Sequence, residues 1–468
     1  MFKVTFKTNN SEKSACYSEP VLLSQAAEDL GIYLPKPCGG NGTCGKCKAT
    51  VDGKEILTCQ TYAECDTYVY YNTQPDEIQG LTDGACTHEA VRPIIESGYA
   101  MAIDIGTTTV AAYVYEFPKG KLVLKKALPN RQAQYGADVI SRIEYSNNGG
   151  LKKLSESIRN QIEELSDGYD IEKYVITGNT TMLHLLTATD PRSIAVAPFE
   201  PESLFGGWYE NAYLPGCISA YVGADTVTAI LSSRMLNDTT AFLVDIGTNG
   251  EMALWHCGEL ICCSTAAGPV FEGAGITYGM LASDGAINNV SVEKGQIKYS
   301  TIGNKAPKGI CGSGLIDAAA CMLELGIIDE TGYLEDDFPI GDSGVLITAS
   351  DIRNLQLAKS AIRSGIDTLL NYCNTECSNI EKFYIAGGFG SFINKESAAK
   401  IGLIPDCITD RIESIGNAAG GGATMIMLNK ALINESEEIA KKARTVELSS
   451  SAYFMDKYIE NMMFEVKK

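Results

Sequence analysis

Met101 to Tyr115 reads MAIDIGTTTVAAYVY, and Phe242 to Leu254 reads FLVDIGTNGEMAL. Each runs an apolar strand into Asp-Ile-Gly-Thr and then into a second strand. The turn offers backbone N–H and hydroxyl groups beside a carboxylate at the strand end. In the first copy these are Asp104, Gly106, Thr107 and Thr108; in the second, Asp245, Gly247, Thr248 and Asn249. Phosphate oxygens need such donors, and Mg²⁺ needs the carboxylate, directly or through water. One such turn is most often just a hairpin. Two copies so far apart predict duplicated lobes rather than a solenoid, able to clamp a triphosphate from both sides.

The surrounding sequence fits this expectation. From Tyr99 onward, apolar strands ending in glycines alternate with amphipathic helices, an α/β pattern. We expect a first lobe over 99–235, a second over 236–430, and a helical C-terminal extension over 431–468. Tyr384 to Gly390 (YIAGGFG) is a strand running into Gly387 and Gly388, where backbone can approach a nucleoside closely. Gly309 to Ile328 contains Gly312 and Ser313 in a turn that opens a helix, whose N-terminus favours an anion. Val222-Gly223-Ala224-Asp225 offers a third carboxylate. A P-loop and a Gly-x-Gly-x2-Gly turn are both missing, which disfavours P-loop ATPases and NAD enzymes. His88, His184 and His256 are scattered and form no triad.

Upstream, residues 38–59 read CGGNGTCGKC and, after a gap, ILTCQ, with the spacing Cys-x5-Cys-x2-Cys-x11-Cys. A 2Fe–2S centre needs four thiolates, two per iron. Cys38, Cys44, Cys47 and Cys59 supply them, with Cys65 as the competing fourth ligand. Gly39, Gly40, Gly42 and Gly45 let the loop fold tightly and aim N–H groups at the sulfides. Structural zinc prefers paired Cys-x2-4-Cys knuckles, and only one Cys-x2-Cys is present. Around the loop we expect strands at Phe2–Phe6, Ala15–Pro20, Lys48–Val51 and Glu55–Thr58. Between them lies a short helix, Leu22–Leu30, opened by Ser24 or Pro20. This is a β-grasp domain over 1–72, followed by a linker over 73–98. The loop resembles that of plant- and adrenodoxin-type ferredoxins, in which the fourth cysteine lies farther downstream.

The 468 residues carry a formal charge of −20, which repels a phosphate backbone and argues against nucleic acid or an anionic membrane surface. The start has no signal-peptide pattern, and no apolar run is long enough to span a bilayer. We therefore expect a cytoplasmic protein whose 16 cysteines are reduced unless they bind metal. Cys262, Cys263, Cys321 and Cys373 lie in apolar stretches and read as small core residues.

In their order, the downstream elements resemble the nucleotide core of the acetate and sugar kinase, Hsc70 and actin superfamily. The resemblance implies that Asp104 and Asp245 are the two phosphate-loop acids. One would orient water and the other would hold hydrated Mg²⁺. Thr107, Thr108, Gly247, Thr248 and Asn249 would cradle phosphates, and Gly387 and Gly388 would lie at the adenosine. The implied class is an α+β β-grasp ferredoxin domain followed by a two-lobed, actin-like (ribonuclease H-like) α/β ATPase.

Both halves on one chain, with NRQAQYGADVISRI (130–143), VITGNTTMLHLL (175–186), AAGPVFEGAGITYGM (266–280), GICGSGLID (309–317) and IAGGFGSF (385–392), resemble reductive activators of corrinoid-dependent methyltransferases. The resemblance implies ATP-driven reduction of a Co(II) corrinoid protein to Co(I). The partners would be that corrinoid protein and an electron donor protein; a homodimer is left open. Because Asp104 follows the cluster loop closely, we expect the middle region of larger members to be missing. The alternative is a small-molecule kinase of the same superfamily with a regulatory cluster, which would phosphorylate an acceptor rather than release free phosphate.

Overall fold

The computed structural model describes residues 1–8, 12–32, 34, 40, 42, 47–71, 91–388 and 393–465. Alternation in β1 (Phe2–Lys7) buries Val4 and Phe6 completely. It pairs antiparallel with β2 (Glu12–Tyr17). Helix α1 (Leu23–Asp29) turns Leu23, Ala26 and Ala27 onto the same core. Neither Ser24 nor Pro20 caps it. Its first amides instead donate to the chain around Cys59: Leu23 N to Thr61 O at 2.9 Å and Ser24 N to Thr58 O at 3.0 Å. β3 (Lys48–Val51) and β4 (Lys54–Leu57) form a hairpin through Asp52 and Gly53, both at positive φ, as a two-residue turn with right-handed twist requires. The sheet order is β2-β1-β5-β3-β4. Its central strand, β5 (Thr67–Tyr70), has no counterpart in the expectation from sequence.

The first lobe contains β6 (Gly98–Ile105), β7 (Thr109–Phe117), β8 (Lys121–Pro129), α2 (Val139–Tyr145), α3 (Leu151–Leu165), β9 (Ile171–Gly178), α4 (Thr180–Thr187), β10 (Gly207–Tyr209), β11 (Ala212–Leu214) and α5 (Ala224–Ser233). The second contains β12 (Thr240–Ile246), β13 (Gly250–His256), β14 (Glu259–Thr265), β15 (Ala286–Glu293), β16 (Gln296–Thr301), α6 (Gly312–Glu324), α7 (Ala349–Tyr372), β17 (Lys382–Ala386), α8 (Lys395–Lys400) and β18 (Ile412–Ser414). The two main sheets run β8-β7-β6-β9-β11-β10 and β18-β17-β12-β13-β14-β19. In both, a three-strand antiparallel meander has a parallel strand on the far side of its first strand. The sequence echo is thus a repeat of topology. The two hairpins close at Ile105 opposite Val110 and at Ile246 opposite Gly250.

The chain then returns. α9 (Ala418–Leu428) is buried throughout and packs with α5 between the two sheets, so both inner faces share one core. The segment 431–468 carries α10 (Leu432–Lys442) and α11 (Ala452–Glu460), and also β19 (Arg444–Thr445), which pairs parallel with β14. It is woven into the fold rather than appended to it. α11 lies along α7, where the buried ammonium of Lys359 donates to the carbonyls of Asn461 and Met463, both at 2.6 Å. Asn461 is the C-cap of α11 and Met463 lies just beyond it, so the ammonium holds the chain where the helix ends. The far end of the expected linker is also fixed: Ile94 N donates to Met427 O at 3.1 Å, and Lys430 N to Arg92 O at 2.7 Å. Residues 72–90 lie outside the described residues.

Candidate functional sites: a thiol pair and an acidic inter-lobe cleft

In the N-terminal domain, Cys47 and Cys59 are buried with their sulfurs 3.2 Å apart. Thr58 sets this approach by donating to Cys47 O from both N (3.0 Å) and Oγ1 (3.1 Å). Gln60 then straps the loop, donating from Nε2 to Gly40 O at 2.6 Å. Burial pushes the Cys59 thiol up and the adjacent Cys47 adds to this; contacts from Gln60 and Gly42 pull it back. Two thiols packed this closely fit ligation to one iron-sulfur centre, where metal charge holds them as thiolates. Cys65 is exposed. Cys38 and Cys44 lie outside the described residues. Gln60 went unnoticed in the sequence because its role depends on reaching back to Gly40.

Every nucleotide-site residue expected from sequence lines one cleft between the lobes: Asp104, Gly106, Thr107, Thr108, Asp225, Asp245, Gly247, Thr248, Asn249, Gly312, Ser313, Gly387 and Gly388. The turns are tight. Gly106 N donates to Thr109 O and Gly247 N to Asn249 O, both at 2.9 Å. The turn hydroxyls approach across the cleft, Thr108 Oγ1 lying 3.0 Å from Thr248 Oγ1. Gly387 is required here: at φ 93°, a Cβ would lie 2.8 Å from Asp245 Oδ1 and 2.7 Å from Ile246 O. Ser313 directs its hydroxyl away, to Asn288 O at 2.9 Å, leaving backbone amides at the mouth of α6. The Phe389–Phe392 part of the glycine motif lies outside the described residues.

Several side chains missing from the sequence reading complete the cleft. Glu251 faces Asp245 across the hairpin register, so the two share a face of the sheet. A pairing drawn through the tight turn would have found it. Asn417 caps α9 through Gly420 N (2.7 Å) and donates from Nδ2 to Asp104 Oδ2 at 3.0 Å. Asn179 caps α4 through Met182 N (2.9 Å) and donates to Thr107 Oγ1 at 3.1 Å. The fully buried Arg142 donates to Thr107 O at 2.5 Å. Glu272 accepts from both cleft threonines.

Five carboxylates therefore line the cleft: Asp104, Asp225, Asp245, Glu251 and Glu272. Burial, reinforced by Asp225 and Asp245, pushes Asp104 up to about 8. Burial with Asp225 and Glu272 puts Asp245 at about 7. Burial raises Asp225 to about 6, against hydrogen bonds from Thr226. Glu251 is raised well above its usual range, by burial first and then by Asp225 and Asp245. A concentration of hard oxygen donors that resist ionisation together suits a divalent cation, which would restore their charge. Among the described residues, no three acidic, His or Cys side chains form a closed metal cage. Mg²⁺ takes one or two carboxylates, keeps several waters and binds substrate phosphates.

Comparisons with known proteins match three stretches of the chain. Residues 6–64 match the 2Fe–2S iron-sulfur cluster binding domain, a span that includes Cys59 and stops short of Cys65. Residues 99–238 match the RACo middle region, and 239–468 the C-terminal ASKHA domain of RACo. The expectation that the middle region is missing is thus corrected: the β-sheet unit read as the first lobe is that region. The corrinoid activation enzyme RamQ of Eubacterium limosum is 34% identical, with 97% of this chain and 98% of that protein covered. The reductase of the Co(II) methylated amine-specific corrinoid protein from Methanosarcina barkeri is 29% identical over 74% of this chain and 72% of its own length. The solved reductive activator for a corrinoid, iron-sulfur protein superposes with a TM-score of 0.74 at 30% identity, covering 99% of this chain and 98% of that one. Among the described residues, no helix is long and apolar enough to cross a membrane.

Proposed function

This chain belongs to the family of reductive activators of corrinoid proteins, and from that premise we propose that it uses ATP to return a Co(II) corrinoid protein to Co(I). One observation carries the reading: a buried thiol pair built for a cluster and an acidic cleft built for Mg²⁺ and phosphates share one chain. Cys38, Cys44, Cys47 and Cys59 hold the cluster, which when bound supplies one electron at about −400 mV for the plant type. Forming Co(I) needs a stronger reductant, so nucleotide must favour a conformation or complex in which transfer becomes feasible.

In this reading, the amides of Gly106–Thr108 and Gly247–Asn249, with the threonine hydroxyls, hold phosphate oxygens. Gly387 and Gly388 leave room for the nucleoside. Of Asp104 and Asp245, one orients water and the other holds the hydrated Mg²⁺, with Asp225 beside them. Mg²⁺, when bound, neutralises charge on the phosphates. Asn417 and Asn179 keep Asp104 and Thr107 in place. A separate electron donor protein reloads the cluster. We place the protein in the cytoplasm and leave a homodimer to be tested by sedimentation.

The test follows Co(II) to Co(I) by visible spectroscopy, with a chemical reductant, with and without ATP, across candidate corrinoid proteins. We expect ATP to accelerate Co(I) formation with release of free phosphate, and Asp245→Ala to remove the acceleration. Equal rates without ATP, or in the variant, refute the coupling.

A further inference from the structure

Glu272 makes a contact that phosphate binding does not by itself call for. It ends a single 3₁₀ turn, Pro269–Glu272. Its Oε2 accepts from Thr248 Oγ1 at 2.7 Å and from Thr108 Oγ1 at 3.1 Å. One carboxylate oxygen thus joins the phosphate turn of the first lobe to that of the second. Each hydroxyl has a single proton to donate. When both point at Glu272, neither is available to a phosphate oxygen, and the carboxylate repels an anion placed beside it.

The turn is bracketed by two hinges. Gly268 and Gly273 have φ of 77° and 79°, a region other residues enter only with strain. Past the second hinge, Ala274 N bonds back to Pro269 O at 3.0 Å, and the chain beyond is held through Thr277 N to Asp351 Oδ1 at 2.7 Å and Asn354 Nδ2 to Gly275 O at 2.8 Å. Before Glu272, the Phe271 carbonyl lies against the start of α6, so close that a Cβ at Gly312 would approach it to 2.2 Å. Displacing Glu272 therefore moves the end of a short strip that packs on α6 and α7 and is anchored by Val270 and Phe271 in the core of the second lobe.

We propose that Glu272 is a positioning residue that competes with nucleotide phosphate for the Thr108 and Thr248 hydroxyls, so that nucleotide frees the Pro269–Glu272 turn and phosphate loss lets it close. This rests on the nucleotide reading of the cleft and adds to it a moving part. In the full, cluster-loaded chain, Glu272→Gln keeps the shape and removes the charge. We expect it to bind Mg-ATP about 10-fold tighter, equivalent to ~1.4 kcal/mol, read as a lower Kd and a lower KM for ATP. Amide hydrogen exchange across 269–274 should quicken when ATP is added to the wild type. In Glu272→Ala it should be fast from the start, with melting curves confirming that the variant is folded. A wild type that binds no nucleotide sinks both readings. A wild type that binds ATP while Glu272→Gln has unchanged affinity, and exchange at 269–274 ignores ATP, sinks only the competition. Loss of hydrolysis in Glu272→Gln at unchanged affinity also overturns it, because Glu272 would then act on the attacking water.

Discussion

Cys59 and Cys65 are separated by five residues in sequence and by their surroundings in the fold. Cys59 is buried against Cys47, whereas Cys65 is exposed and its carbonyl closes a turn with Thr67 Oγ1 at 2.7 Å. We expect Cys59→Ser to lose the visible absorption of the cluster and most of its iron, and Cys65→Ser to keep both. A residue-scale pH dependence comes from His184. It is fully buried and uses both ring nitrogens in neutral form: Nδ1 donates to Thr180 O at 2.7 Å, and Nε2 accepts from Ser203 N at 3.3 Å. Burial holds its pKa below 6.5, with Thr180, Glu202 and Asp190 pulling the other way. Below pH 6.5 the unfolded chain binds a proton that the folded chain refuses, so this part of the stability is lost as pH falls. The raised carboxylates of Asp104, Asp225, Asp245 and Glu251 act in the opposite sense over this range, so the His184 contribution is read as a difference. The melting temperature of wild type relative to His184→Gln should fall between pH 6.5 and 5, and a difference independent of pH would remove the residue from the account. What was legible at this scale followed local chemistry. Carboxylates that hold Mg²⁺ and thiols that hold iron are particular residue types set in tight turns, so Asp104, Asp245 and the cysteines stand out as candidates. Glu272, Asn417 and Gln60 have meaning only through partners distant in sequence.

The element whose role sequence least reveals is α9. NAAGGGATMIML reads as a weakly patterned apolar stretch, and it becomes the helix that fills the space between the lobes. Its glycines are packing devices. A Cβ at Gly422 would lie 2.0 Å from Thr228 O on α5, and one at Gly420 would lie 2.7 Å from the ring of Tyr113 on β7. Gly422→Ala must push α5 and α9 apart. Overpacking of this kind costs about 1–3 kcal/mol, so we expect a lower melting temperature and weaker nucleotide binding, since Asp225 opens α5 and Asn417 caps α9. A variant as stable as wild type would show that the interface yields easily. β6, β7, β12, β13 and β17 were legible because each is an apolar run meeting a distinctive turn. β5 and β19 were not, because both are short and take their pairing from distant partners.

At the scale of the whole molecule, coupling requires the cluster domain to sense the cleft. Glu28 of α1 lies 3.3 Å from Lys153 of α3, with Glu28 largely buried and Lys153 half-exposed. The Lys153 ammonium also lies 5.2 Å from the ring centroid of Tyr135, which stacks on Tyr145. Burial first, and then the charge of Glu28, raises the Tyr135 hydroxyl pKa. Tyr135 ends the 3₁₀ turn capped by Asn130, which donates to Gly106 O at 2.8 Å and, from its backbone, to Thr108 O at 2.7 Å. On the other side, the first amides of α1 hold the chain around Cys59. One charge pair therefore joins two elements that each touch a site. With Lys153 half in solvent, the pair itself contributes ~1 kcal/mol or less. Lys153→Glu does more than remove it, because it faces a shielded carboxylate with a second one. We expect this variant to keep its cluster and its ATP hydrolysis while the ratio of Co(I) formation with and without ATP falls several-fold. The exchanged pair, Glu28→Lys with Lys153→Glu, should recover the ratio. If Lys153→Glu leaves the ratio at its wild-type value, the domains are coupled through residues 91–97 and their bonds to the end of α9 instead.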